Sequence, residues 1–289
     1  MPTHQIRLTE RDYTLLDALA DYRFLSIAQA TALFFPSTQA ASRRLHELVK
    51  AKLAVTVFMP VRPYSRKTET VFGLSARGAT ALTPRRNGLR PRHLTEREVR
   101  SGLHLDHTLR RNDVRACLER LPDRMPRFAL LSWQQHPDQV RAAARVRLGR
   151  RIETHVKIIP DGVAVVKVGS RCEVLAIEID RGTVPVRSMW RRFRAYWAWW
   201  RAHGARARHG PVPYRVLTLV PDEKRLLALA KAAADAPETG ATGSKLFWFA
   251  TQDQADLGNP ERLVGPTWRM ATVPTSRPCP LFPETASQS

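Results

Sequence analysis

IIPDGVAVVKVGSRCEVLAIEID, residues 158–180, is the stretch on which the reading of this chain turns. It breaks into two apolar runs, Val163 to Val168 and Cys172 to Ile179, separated by Gly169-Ser170. Runs of this length rich in valine and isoleucine, joined by a two-residue Gly-containing loop, predict a β-hairpin. Three acids mark its open end: Asp161 before the first strand, and Glu178 and Asp180 at the end of the second. Side chains alternate along a strand, so Glu178 and Asp180 share a face. Carboxylates held that close repel unless a cation lies between them, so Asp161, Glu178 and Asp180 are candidate ligands for Mg²⁺ or Mn²⁺. Such an ion would polarise a phosphodiester and lower the pKa of an attacking water. The competing reading is that Asp161 caps a turn and that Glu178 and Asp180 pair with neighbouring arginines.

Outward from the hairpin, the second half of the chain predicts a mixed α/β sheet flanked by helices. A helix starts near Ser101 and stops at Pro122, and RFALLSWQQH, residues 127–136, reads as a strand. Residues 138–151 read as a polar, Arg-rich segment. After Gly182 a helix is expected from Val186 to Ala202, with Met189, Trp190, Phe193, Trp197 and Trp200 at helical spacing. Arg187, Arg191 and Arg194 on its other side are candidate phosphate contacts. Strands at Tyr214 to Val220 and Lys245 to Ala250 bracket a helix from Asp222 to Ala234. From Val273 onward, prolines and small polar residues predict a disordered tail.

The first half reads differently. Thr9 and Ser26 each precede a helical pattern, the latter with Gln29 in capping-box spacing. A third helix begins near Ser37, with Ala41, Leu45, Leu48, Val49 and Leu53 marking its buried face. AVTVFMPV (54–61) and Thr70 to Leu74 then read as two strands. Three helices followed by a hairpin is the winged helix-turn-helix order, whose third helix enters the DNA major groove. Candidate nucleic-acid contacts are Arg43, Arg44 and Lys50 on that helix and Arg62, Arg66 and Lys67 on the wing. The domains expected are a winged helix over 6–83, a basic Pro- and Arg-containing linker over 84–100, a sheet domain over 101–272 and a tail over 273–289.

Composition narrows the partner. The 289 residues carry 47 Lys and Arg against 26 Asp and Glu, a formal charge of +21. Such a balance points to a polyanion, most simply nucleic acid, with an anionic membrane as the competing partner; with the winged-helix order, the partner expected is double-stranded DNA. No apolar run reaches the roughly 18 residues of a membrane span, and no signal-peptide core is visible. The expectation is therefore a cytoplasmic protein that does not engage a membrane. The three cysteines, Cys117, Cys172 and Cys279, are too far apart in sequence for a zinc pattern.

Several of these segments together resemble the replication–relaxation family. They are Leu8 to Asp12, His107 with Asn112-Asp113, Pro160-Asp161-Gly162, Glu178 to Thr183, and the Arg-rich helix carrying Tyr196. The resemblance spans roughly residues 6–270. It implies an α+β chain: a winged helix followed by a restriction-endonuclease-like domain with a variant PD-(D/E)xK motif. It also implies work on plasmid or mobile-element DNA in replication, relaxation or conjugative mobilisation, beside other relaxosome or replication proteins. Asp161 and Glu178 would be metal ligands of a nicking endonuclease, with Asp180 as the third acid. The motif's lysine is replaced here by Asp180, and Arg192 is the candidate to reach back in its place. Arginine clamps phosphate but stays protonated and serves poorly as a base. The alternative is a non-catalytic DNA-binding accessory protein or regulator with a degenerate nuclease fold.

Overall fold

The computed structural model describes residues 6–57, 70–101, 105–148, 152–236, 245–271 and 277–282. The chain divides into two compact units, residues 1–116 and 117–289. Both mix helices with strands, as the α+β class requires. Among the described residues no helix is long and apolar enough to cross a membrane.

The first unit runs α1 (Glu10–Tyr22), β1 (Leu25–Ser26), α2 (Ile27–Phe34), α3 (Thr38–Lys50), β2 (Ala54–Val57), β3 (Val71–Leu74), α4 (Ala76–Leu82), α5 (Glu96–Ser101) and the start of α6 (Leu105–Arg120). Each early helix begins where a side-chain oxygen satisfies its free N–H groups. Thr9 and Asp12 form a reciprocal box at α1, Ser26 and Gln29 do so at α2, and Ser37 and Ser75 cap α3 and α4. The apolar faces close on one core that includes Leu15, Leu16, Leu19, Leu45, Leu48, Phe72 and Leu74. Strands β1 and β2 flank β3, both antiparallel to it. The two-residue β1 has no readable period, and only its pairing with β3 defines it. The start of α4 packs tightly: a Cβ on Gly78 would lie 2.1 Å from the Leu53 carbonyl oxygen.

Two residues that begin helices also bind distant elements. Asp12 accepts from the Thr9 amide and receives Arg44 of α3 on both oxygens, at 2.6 and 2.5 Å. Gln29 closes its box with Ser26, and its Nε2 also donates to Leu109 O and Asp113 Oδ1 of α6, at 2.8 and 2.7 Å. Asn112, fully buried, donates to the carbonyls of Tyr22 and Phe24. The segment 84–100, expected to be a linker, packs on this unit. Leu94 is buried with its N–H on Leu74 O, and Arg86 pairs with Asp17 and Asp21 of α1. Its prolines and arginines marked a domain boundary, but the α1 carboxylates hold Arg86 in place.

The second unit takes in the end of α6, β4 (Phe128–Gln134), α7 (Pro137–Val140), β5 (Ala142–Leu148), β6 (Ile152–Ile158), β7 (Gly162–Val168) and β8 (Arg171–Ile179). It continues with α8 (Val186–Arg201), α9 (Gly204–His209), β9 (Tyr214–Val220), α10 (Glu223–Ala234), β10 (Phe247–Thr251) and β11 (Arg269–Met270). One six-stranded sheet has the order β11-β10-β9-β8-β7-β4. Its central strands β8, β9 and β10 are parallel, and the rest are antiparallel. The β7–β8 hairpin forms as expected, with Gly169 at φ 61 opening its two-residue loop. Helices α8 and α10 share a core with one sheet face: Met189, Phe193 and Tyr196, with Leu226, Leu229 and Ala230, against Val174, Ala176, Val216 and Phe249.

Two expectations change here. Residues 138–151, read as a polar segment, contain β5, which pairs antiparallel with β6 in a separate two-stranded sheet. Its inward residues include Ala142, Ala144 and Val146, and the small alanines hide the alternation that arginines interrupt. The tail read as disordered from 273 is ordered over 277–282. Cys279 bridges to Trp268, and Leu281 and Phe282 are buried. Proline content concealed this apolar pair, which Arg215 holds through the Leu281 carbonyl and a stack on the Phe282 ring.

Burial alone would raise the Asp12 pKa, but the hydrogen bonds from Arg44 and Thr9 outweigh it and hold the group below its usual 3.8. Asp12→Ala is expected to cost about 3 kcal/mol, because it leaves Arg44 without its buried partner. Denaturant unfolding at pH 7 measures this. The difference from wild type should shrink as pH falls below the ordinary aspartate range, since the folded chain binds that proton more weakly than the unfolded chain.

Candidate functional site at the ends of the central strands

The three acids do meet the same end of the sheet, but each finds a partner inside the protein. Asp161 precedes β7, where its N–H donates to Ile177 O at 2.8 Å. Its Oδ2 accepts from the Ile179 N–H, also at 2.8 Å. It thus closes the hairpin where ladder bonds run out.

Glu178 lies on the β8 face beneath α8 and is 1% exposed. Arg192 and Tyr196 are four residues apart on α8, so both reach over the same strand end. The Arg192 guanidinium meets Glu178 Oε2 at 2.7 Å, and the Tyr196 hydroxyl donates to Oε1 at 2.6 Å. Burial pushes Glu178 up to about 7, against the pull of Arg192, and the nearby Asp161 carboxylate adds to the rise. Burial and the Glu178 charge hold the Tyr196 hydroxyl protonated well beyond the usual phenol range.

Asp180, one residue past β8, is directed to another helix. Arg225, in the first turn of α10, binds both of its oxygens at 2.7 and 3.1 Å, and the Gly182 N–H donates to Oδ2 at 3.2 Å. The same guanidinium reaches Val184 O, tying the loop after β8 to α10. Glu178 and Asp180 share a strand face as alternation predicts, but separate arginines on separate helices neutralise them.

This donor set does not fit a three-acid metal centre. Both oxygens of Glu178 and both of Asp180 already accept hydrogen bonds. A cation placed on Glu178 would face the Arg192 guanidinium, which like-charge repulsion disfavours. Among the described residues no three His, Cys, Asp or Glu side chains gather where they could hold a metal ion. The buried Thr218 hydroxyl opposite Glu178 in the β8–β9 ladder has no hydrogen-bond partner, but it is neutral and adds no charge to such a site. Arg192 does reach back to the strand, yet its partner is the carboxylate. The sequence reading of the acids omitted Arg225, 45 residues from Asp180, which no local pattern marks.

The candidate nucleic-acid contacts divide into three groups. Arg43 and Lys50 are exposed on α3, whereas Arg44 is held by Asp12 and by Glu47 at 2.5 Å. Arg62, Arg66 and Lys67 lie outside the described residues. On α8, Arg187 and Arg191 are exposed, and Arg194 is half-buried with its guanidinium 4.8 Å from the Trp190 ring.

The replication–relaxation family model matches residues 16–214, more than half of the chain, and the chain belongs to that family. No curated protein and no solved structure matches it.

Two substitutions report on the Glu178 cluster. Tyr196→Phe removes a buried donor and is expected to cost about 1–3 kcal/mol in denaturant unfolding. For Glu178 itself, the folded chain keeps the proton up to about 7, while the unfolded chain releases it near 4.5. Stability is therefore lost as pH rises through that window. Glu178→Gln cannot titrate, so the variant should gain on wild type by up to roughly 3 kcal/mol between pH 4.5 and 7.5. Thermal unfolding of both proteins across that range checks it.

Proposed function

We propose that the protein is a non-catalytic binder of double-stranded DNA that acts in the replication or relaxation of plasmid or other mobile-element DNA. Family membership supports the process. One contrast within the molecule supports the mode of action: Arg43 and Lys50 stand exposed on α3, while all three acids at the sheet end are engaged.

In this reading the helices and three-stranded sheet of the first unit form a winged helix-turn-helix. Helix α3 lies in the major groove, where Arg43 contacts a base edge or phosphate and Lys50 a phosphate. Arg44 is not a DNA contact but the brace that sets α3 against α1 through Asp12. Arg62, Arg66 and Lys67, which lie between β2 and β3 in sequence, are further candidate phosphate contacts. Exposed Arg187 and Arg191 of α8 supply further phosphate contacts. The Glu178–Arg192–Tyr196 cluster then acts as a structural clamp between β8 and α8.

Titration of labelled duplex DNA by fluorescence anisotropy tests the binding claim. The affinity is expected to fall steeply with salt, linearly in log–log form. The Arg43→Ala, Lys50→Ala double variant should lose about 1–3 kcal/mol for a base contact, and about one unit of salt slope for each phosphate contact. Unchanged affinity and slope in that variant would remove α3 from the interface. Supercoiled plasmid incubated with the wild-type protein and Mg²⁺ or Mn²⁺ is expected to stay supercoiled. Conversion to open circles by wild type, abolished by Glu178→Gln, would overturn the non-catalytic assignment.

A further inference from the structure

At the other end of the parallel strands, away from Glu178, the second unit has a recess of about 840 Å³. It lies between the end of α8, α9 and the beginnings of β9 and β10. Its size falls within the roughly 300–1,000 Å³ typical of small-ligand sites.

The local chain is shaped to form it. His203 at φ 59 turns α8 into α9, and Gly210 at φ 81 turns α9 toward β9. Gly204 brings α9 against the Trp199 indole, since a Cβ there would lie 2.1 Å from Trp199 Nε1. The Trp199 ring meets Tyr214 edge-on, with centroids 5.4 Å apart, and His209 stacks on the other part of that aromatic group at 5.9 Å from Tyr214.

Trp200 supplies the wall that matters. It is 39% exposed, a high value for an indole in a chain that buries its other α8 aromatics better. Its ring leans on Trp197 with centroids 5.3 Å apart and an angle of 31°. One side of the indole is therefore supported while the residue remains open to the recess. Around it stand the exposed cations Arg201, Arg206 and Lys245. Among the described residues no Asp or Glu lines the recess, and no carboxylate pairs with Arg206 or Lys245.

A supported, accessible indole next to unneutralised cations matches the chemistry of an unpaired nucleotide. The base stacks on the ring while Arg and Lys meet the phosphate. A concave site favours this over a flat lipid surface, for which an apolar face at a helix surface is the usual feature. We propose that this recess binds an unpaired nucleotide of a single DNA strand, with Trp200 as the stacking residue and Arg206 and Lys245 as phosphate contacts. The site is independent of the α3 contact with duplex DNA. It would let one chain hold duplex through one unit and an opened strand through the other.

The test is anisotropy of a labelled short oligothymidylate with the full-length protein. Wild type is expected to bind it, and Trp200→Ala to weaken binding roughly 5- to 150-fold, the equivalent of one base stack. Arg206→Ala and Lys245→Ala should each lower the log–log salt slope by about 0.7. Duplex affinity should be unchanged in all three, which also shows that the variants remain folded. The Arg43→Ala, Lys50→Ala protein should bind the oligothymidylate like wild type, so failure of the α3 reading leaves this result separate. Oligothymidylate affinity unaltered by Trp200→Ala and by the cation variants would overturn the proposal. So would thymidine monophosphate competing as strongly as the oligonucleotide, which would mark a free-nucleotide site. Trp200-dependent binding to anionic phosphatidylserine vesicles with none to the strand would assign the recess to a lipid surface instead.

Discussion

A carboxylate buried beneath a helix must be neutralised or protonated, and much of the second unit is arranged around that requirement at Glu178. The residue sits in the central strand of the sheet, where solvent cannot screen it. Arg192 and Tyr196 answer it from one face of α8, and in doing so they fix the helix's rotation over β8. With that rotation set, Met189 and Phe193 fall into the shared core with α10, and the end of α8 reaches the beginnings of β9 and β10. The Asp180–Arg225 pair plays the matching part for α10. The end of β8 is thus tied to two different helices, each time by one acid and one arginine.

The first unit solves a similar problem with smaller parts. Asp12 and Gln29 each begin as capping residues, a role set by their own turn of helix. Each has acceptor or donor capacity left after capping. Asp12 uses it on Arg44, and Gln29 on Leu109 and Asp113. Local signals that start a helix therefore also set the packing between helices. The same economy explains why Arg44, on the face of it a DNA contact, is committed within the fold while Arg43 beside it is free to face outward.

Charge is what separates site from scaffold in this chain. With +21 formal charges, arginines outnumber the acids that can hold them. Those that meet a buried acid, such as Arg44, Arg192 and Arg225, become structural. Those that meet none among the described residues, such as Arg43, Arg191 and Arg206, remain available to phosphate. The distinction depends on which acids lie within reach after folding, and neither residue type nor spacing reveals it.

Much of the fold was legible in the sequence because it rests on short-range physics. The β7–β8 hairpin follows from two apolar runs and a glycine, the helix starts from Thr9, Ser26 and Ser37, and α8 from its aromatic spacing. Where local signals were weak the reading failed: β5 was masked by alanine and arginine, and residues 277–282 by proline. The site was legible only as a set of residues. The sequence by itself determined that Asp161, Glu178 and Asp180 would reach one end of a sheet, because strand alternation and the hairpin turn require it. Only the tertiary structure decided what they do there. Arg192, Tyr196 and Arg225 come from helices 14 to 45 residues away, and a buried carboxylate takes its character from whichever charge the fold places against it.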